Sequence, residues 1–293
     1  MATRTAIIIP TYKRKQSCLQ LLQSLQAEVT KNDIVIIVEQ GEHNGEAFLQ
    51  VSKKLKINCT YIYEESLGTA RAKNKGVLQS HADYVVFFDD DVVVHKGCVQ
   101  ALVQSLADTS VGVVGGRVLW PDKRQELHEK EVGHISMIGT FSDGFSSGIR
   151  QEADTVIGCN MALRRKVFTD TQGFDTNFIG AFREESDLCL RVKKAGYRVV
   201  FDPQAQVTHM RDPQGGARKT EGRFRWYYMF FHNETYFFLK HRPKLLLPVF
   251  LCTRISYILR CMFGFGREVS MRSLMTPWKG ICGGIQKYRT HKL

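Results

Sequence analysis

The chain has 293 residues, 43% of them hydrophobic, enough to bury a full core in one large domain or one domain with an addition, which excludes disorder as the default. Its eight cysteines are scattered without a C-x-x-C pair, which argues against a zinc site or disulfide scaffold and fits thiols in a reducing compartment. A formal net charge of +12 attracts phosphates, nucleic acid or an anionic membrane surface, and composition alone does not choose among them.

The apolar run at residues 6–9 is too short for a signal-peptide core and lacks a small-residue cleavage site, so a cytoplasmic protein is expected. Through the first hundred-odd residues, β-branched apolar runs alternate with helical patterns, the mark of βαβ units and a mainly parallel sheet. Residues 5–9, 33–38, 60–63 and 84–88 are predicted strands; Leu19, Leu22 and Leu25 recur at helical spacing, and 70–79 is a predicted helix. Residues 111–120 read as a strand and 121–131 as a charged surface turn. Further on, 156–163 is a predicted strand, 185–195 a helix with Leu188, Val192 and Ala195 on one stripe, and 197–201 a strand after the helix stop at Gly196. Pro213, Gly215 and Gly216 precede a shift to a basic, aromatic composition, which predicts a catalytic region over 1–212 and a separate region over 213–293. The apolar run 245–253 is stopped by Arg254, short of a membrane span.

Ligands of open α/β sheets sit beyond the carboxyl ends of the strands, and Asp89, Asp90 and Asp91 follow directly on the strand 84–88. Alternation sends Asp89 and Asp91 to one side, where hard oxygen ligands suit Mg²⁺ or Mn²⁺ bridging to a diphosphate. An acidic turn capping the next helix is the plainer alternative. Three carboxylates in a row after so apolar a strand favour the metal.

An ordered set of motifs resembles family 2 glycosyltransferases with the GT-A fold, over roughly the first 210 residues. The set comprises Pro10-Thr11-Tyr12-Lys13-Arg14 after the first strand, Glu39 after the second, Gly68-Thr69-Ala70-Arg71-Ala72-Lys73-Asn74, and Asp89-Asp90-Asp91 as a D-x-D element. Gly158-Cys159-Asn160-Met161-Ala162, Gly173-Phe174-Asp175 and Arg183-Glu184-Glu185-Ser186-Asp187 complete it. The resemblance implies an α/β GT-A-like nucleotide-binding domain with a mainly parallel central sheet, plus a basic aromatic C-terminal helical appendage. It implies an inverting hexosyltransferase using a nucleotide diphosphate sugar. Pro10, Thr11, Tyr12, Arg14, Glu39, Gly68, Arg71, Asn74, Asp89 and Asp90 would bind the donor; Asp91, Asp89 and His209 would hold Mn²⁺ or Mg²⁺. Glu185 matches the base of the family's E-D motif, with the register between Glu184 and Glu185 open; acids there also favour a helix N-terminus on dipole grounds alone. Asn160, Met161, Asp187, Arg211 and Arg218 are candidates on the acceptor or phosphate-loop side, the two arginines in a glycine-hinged basic loop over 210–219.

Gly222-Arg223-Phe224-Arg225-Trp226 faintly resembles the Q-x-x-R-W element of processive members; Gly222 replaces the Gln, which favours single additions. The aromatics of 226–239 and the cations Lys240, Arg242 and Lys244 precede the moderately apolar 245–265, a composition suited to packing on the catalytic domain or to an anionic membrane surface. The acceptor is expected to be a glycan, on a lipid carrier if the membrane reading holds, and a role in polysaccharide biosynthesis follows. A nucleotidyltransferase would share the fold class, but the glycine-rich, Arg-containing loop expected after its first strand is missing. A non-enzymatic nucleic-acid or membrane module leaves the acidic sites unexplained, so no nucleic-acid partner is expected.

Overall fold

The computed structural model describes residues 4–121, 131–212, 214–216, 222–263 and 271–291. Three β/α repeats and a fourth strand open the chain: β1 (Thr5–Tyr12), α1 (Lys15–Leu25), β2 (Ile34–Gln40), α2 (Gly45–Lys54), β3 (Cys59–Tyr63), α3 (Thr69–Leu78) and β4 (Tyr84–Phe88). β5 (Val92–Val94), α4 (Cys98–Ser105), β6 (Val111–Leu119), β7 (Gln151–Glu152), β8 (Asn160–Arg164), α5 (Arg165–Asp170), α6 (Glu184–Lys194) and β9 (Arg198–His209) follow. The sheet runs β3-β2-β1-β4-β8-β6-β9-β5, with β7 against β9. β1 to β4 are mutually parallel, as is β6 with β9, and these parallel ladders make up most of the sheet. β8 lies antiparallel between β4 and β6.

The early strands are nearly continuous apolar runs because both their faces are covered. Ile7, Ile9, Val35 and Ile37 pack with Leu21 and Leu22 of α1 on one face, while Ala6, Ile8, Ile36 and Val38 pack with Ala70 and Val77 of α3 on the other. Parallel pairing then brings the carboxyl ends of β1 and β4 to one edge, where Thr11 and Asp90 meet.

Two predicted strands are revised. The strand expected over 156–163 starts only at Asn160, because Val156 turns inward to fill the space over Gly115, where an added Cβ would lie 2.3 Å from its own. Residues 155–159 are thereby left as a loop along the sheet's edge. The strand expected to end at Phe201 runs on to His209 through a register shift opposite Gly116 and Arg117, so Asp202 and Pro203 bend the strand without ending it. Most of the predicted turn at 121–131 lies outside the described residues.

The C-terminal part is helical: α7 (Gly222–His241), α8 (Leu247–Thr253), α9 (Ile255–Phe263) and α10 (Met271–His291). α7 is buried without a break from Met229 to Leu239. α10 lies against it at backbone range, since a Cβ at Gly284 would meet the carbonyl of His232 at 2.6 Å. No single helix among the described residues is long and apolar enough to cross a bilayer. The turn 244–246 with α8, joined to α9 at a 49° bend, reaches that length only as a broken pair.

Candidate active site

A cleft of about 1280 Å³ opens at the carboxyl ends of β1, β4 and β9 and is closed on its far side by residues 176–186 and the first turns of α7. Its floor is acidic. Asp90 is buried, accepts from Thr11 Oγ1 at 2.7 Å and lies 3.1 Å from Arg14 Nη1. Burial pushes this carboxyl up to about 7 against the pull of Arg14, with the charge of Asp91 adding to the rise. Burial also opposes ionisation of Asp91, but His209, Arg14 and the Asp212 amide outweigh it and hold Asp91 below the usual carboxylate range. Arg14 Nη1 is 2.8 Å from Asp91 Oδ2, and His209 Nε2 is 3.1 Å from Asp91 Oδ1. β5 pairs Val92 with His209, which delivers the histidine to the acids.

The donor set suits a divalent cation. His209 Nδ1 is buried without a hydrogen-bond partner, and one ligand atom each from Asp89, Cys159 and His209 lie within 4.8 Å of one another. Arg14 also binds the carbonyls of Asp212 and Gln214, drawing the loop after β9 across the acids. The loop passes so close that a Cβ at Gly215 would sit 2.1 Å from the Lys13 carbonyl. Arg211 lays its guanidinium 4.0 Å from the centre of the Trp120 ring, and Trp120 meets His209 edge-on.

The opposite wall carries Glu184 and Glu185 at the start of α6. Glu184 is 3% exposed, with one oxygen 3.8 Å from Lys73 Nζ and the other without a hydrogen bond. Burial, then the charge of Glu185, raises its carboxyl to about 8 despite Lys73. Glu185 is half-buried and faces the cleft. The turn into α6 is held from behind by α7. Phe182 and Arg183 adopt left-handed backbone, unusual for residues with side chains. Asn233 accepts from the Ile179 amide and donates to the carbonyls of Ile179, Ala181 and Phe182. Glu234, 2% exposed, binds Arg183 and Arg254. The Arg183 guanidinium also lies 3.2 Å from the Phe141 ring centre.

Of the residues singled out in the sequence, Pro10, Thr11, Tyr12, Arg14, Gly68, Arg71, Asp89, Asp90, Asp91, Glu184, Glu185, His209 and Arg211 line this cleft. Others do not. Glu39 is buried behind the wall with its carboxylate taken up by Asn44 and Tyr61, and its neighbour Gln40 reaches the cleft instead. Asn74 is engaged in a two-way amide pair with the backbone of Phe174. Asn160 is fully buried and ties Arg117 to Ala205, and Met161 is core, so neither lines the cleft. Asp187 lies 2.7 Å from each of Arg191, Lys240 and His241. Their charges and the His241 contact overcome its burial and hold it far below the ordinary range. Arg218 lies outside the described residues.

The residues missed were Lys73, Cys159, Trp120 and the pair Asn233-Glu234. Lys73 carried a signal: it falls on the buried stripe of α3 with Ala70, Gly76 and Val77, where a cation has no reason to be unless a charged partner waits.

Residues 6–171 match the family described as glycosyl transferase family 2, and residues 140–213 match one described as N-terminal domain of galactosyltransferase. The first match takes in more than half of the chain, which therefore belongs to glycosyl transferase family 2 and is a glycosyltransferase. The glucosyl-dolichyl phosphate glucuronosyltransferase of Haloferax volcanii is 24% identical over 220 residues, 70% of this chain and 69% of that protein. The poly-beta-1,6-N-acetyl-D-glucosamine synthase of Staphylococcus aureus is 23% identical over 224 residues, 75% of this chain and 52% of the synthase, so the chain spans about half the synthase's length. Among solved structures, the mannosyltransferase PcManGT from Pyrobaculum calidifontis, in complex with GDP-Man and Mn²⁺, superposes with a TM-score of 0.61 at 17% identity, covering 100% of this chain and 89% of that one. S. aureus TarS 1-349 gives 0.60 at 15% identity, covering 98% and 90%. The fold is GT-A.

Proposed function

We propose that this member of glycosyl transferase family 2 is an inverting enzyme that moves one sugar from a nucleotide diphosphate donor to an acceptor hydroxyl with the help of a divalent metal. The observation that carries the reading is the meeting, in one cleft, of three clustered ligand atoms from Asp89, Cys159 and His209, the buried Asp91 beside them, and a pair of glutamates on the facing wall. Pro10, Thr11, Tyr12, Gly68 and Arg71 form the nucleotide side. Asp91, Asp89 and His209 would hold Mn²⁺ or Mg²⁺, which would supply charge neutralisation for the departing diphosphate. Arg14 and Arg211 add fixed positive charge beside it.

Glu185, half-buried and open to the cleft, takes the proton of the attacking hydroxyl. Glu184 stands behind it against Lys73, and the Asn233-Glu234 contacts keep the turn in place. Relatives named for a dolichyl-phosphate substrate and for a polysaccharide product support a glycan or lipid-linked acceptor. An exposed apolar stripe on α9 supports contact with an anionic membrane face.

Calorimetric titration with UDP-, dTDP- and GDP-linked sugars, each with and without Mn²⁺, tests the reading. Metal-dependent binding of one donor is expected; no binding across the panel overturns it. Glu185→Gln should keep donor affinity and lose transfer by roughly 10²- to 10⁴-fold. Full transfer in that variant would move the base to Glu184.

A further inference from the structure

Cys159 is unlike the other buried thiols of this chain. Cys18 and Cys98 sit in the core as small apolar residues. Cys159 belongs to the same apolar cluster, at 2% exposure, but it also lines the cleft beside carboxylates and an imidazole. Its position follows from register. β8 runs antiparallel to β4 with Phe88 opposite Asn160, so the next residues out, Asp89 and Cys159, stand side by side where the strands end. The β5–β9 pairing brings His209 to the same place. Asp89, Cys159 and His209 accordingly offer three ligand atoms within 4.8 Å of one another. A second observation at the same spot is independent of the thiol: His209 Nδ1 is buried without a hydrogen-bond partner, while its Nε2 meets Asp91 Oδ1 at 3.1 Å.

We infer that Cys159 Sγ is a ligand of the divalent ion, so that the site presents a mixed oxygen, nitrogen and sulfur donor set. The inference rests on the metal-dependent reading above and adds the identity of the metal to it. Mg²⁺ takes oxygen ligands and releases water reluctantly, whereas sulfur favours softer ions. The site therefore selects Mn²⁺, Co²⁺, Zn²⁺ or Cd²⁺ over Mg²⁺. On binding, the thiol proton leaves to solvent and the sulfur lone pair makes the bond to the metal, so metal uptake releases one proton from this residue.

The test is titration of the whole chain with Co²⁺ in the presence of UDP and, in parallel, GDP, followed by absorption spectroscopy. The expected result is a near-ultraviolet sulfur-to-cobalt charge-transfer band together with visible ligand-field bands. Cys159→Ser and Cys159→Ala should each abolish the first and keep the second, and lower the preference for Mn²⁺ over Mg²⁺ by about tenfold. Ligand-field bands without charge transfer in the unaltered protein overturn the inference and leave the metal reading intact. So does a charge-transfer band that survives in both variants, since another cysteine would then be its source. Absence of any cobalt binding overturns the metal reading and this inference with it. X-ray absorption on the unaltered protein loaded with Mn²⁺ needs no variant: a sulfur scatterer is expected, and a shell of oxygen and nitrogen alone refutes the ligand.

Discussion

Lys73 and Glu184 illustrate how a single pair of side chains sets the character of the cleft. Lys73 is 1% exposed, and burial alone would favour its neutral form; the charges of Asp89, Glu184 and Glu185 outweigh that and raise it. Glu184 goes the other way, its carboxyl lifted to about 8, because burial and Glu185 act together and Lys73 is 3.8 Å off. A folded-state value above the unfolded one means that the native state holds this proton more tightly. The contribution to stability is full below about 4.5, the unfolded carboxyl's value, and is lost as pH rises through about 8. Glu184→Gln, which cannot ionise, should gain on the unaltered protein across that window, by at least about 1 kcal/mol between pH 5 and pH 9. Calorimetric melting of both proteins over that range checks the sign. A difference that stays flat would show Glu184 already ionised at pH 5, with Lys73 as its full partner.

At the scale of elements, α7 decides more than its place near the chain's end suggests. Asn233 satisfies four backbone groups of 179–182, and the Gly180 carbonyl in turn accepts from the Thr69 amide at the start of α3. Asn233→Ala would leave buried backbone groups unpaired, at a cost of about 1–3 kcal/mol. The expected outcome is a melting temperature several degrees lower and transfer reduced at least tenfold, with donor affinity changed less. Equal loss of donor affinity would mean that the loop serves the donor side. The sequence shows β1, β2 and β4 clearly, since strands covered on both faces are nearly unbroken apolar runs, and it marks Asp89 to Asp91 because three acids after such a run need a partner. It hides the service of α7. A helix buried nearly all round has no polar face to set against an apolar one, so Asn233 and Glu234 read as breaks in an aromatic run. Val156 misleads for a related reason: apolar pattern reports burial, and a loop residue filling the space over a glycine is as buried as a strand residue.

Over the whole molecule, charge and exposed apolar surface point to the same partner. On α9, Ile255, Leu259 and Phe263 stand one turn apart on one stripe, each about half exposed, while Cys261 on the inner side is buried. Leu245, 89% exposed, precedes α8, and Arg260 on α9 adds positive charge in a chain of net +12. The inner side of α9 leads back to the cleft: Tyr257 lies 4.7 Å from Phe230, which stacks on Trp226 in the cleft wall. On the membrane reading proposed above, this helix would lie in the headgroup plane, its apolar side chains in the acyl boundary and its cations among anionic lipids. Half-exposed leucine and phenylalanine side chains gain about 1 kcal/mol each on burial, so Leu259→Glu with Phe263→Glu should lower vesicle partitioning at least tenfold. The expected result is sedimentation with phosphatidylglycerol vesicles, weakened by added salt as the Debye length shortens, and far less with phosphatidylcholine. Because neither side chain touches the cleft, the double variant should keep its metal-dependent donor affinity, which separates loss of membrane contact from loss of fold. An unaltered protein that stays in the supernatant with anionic vesicles at low salt would rule the membrane out as the partner of this surface.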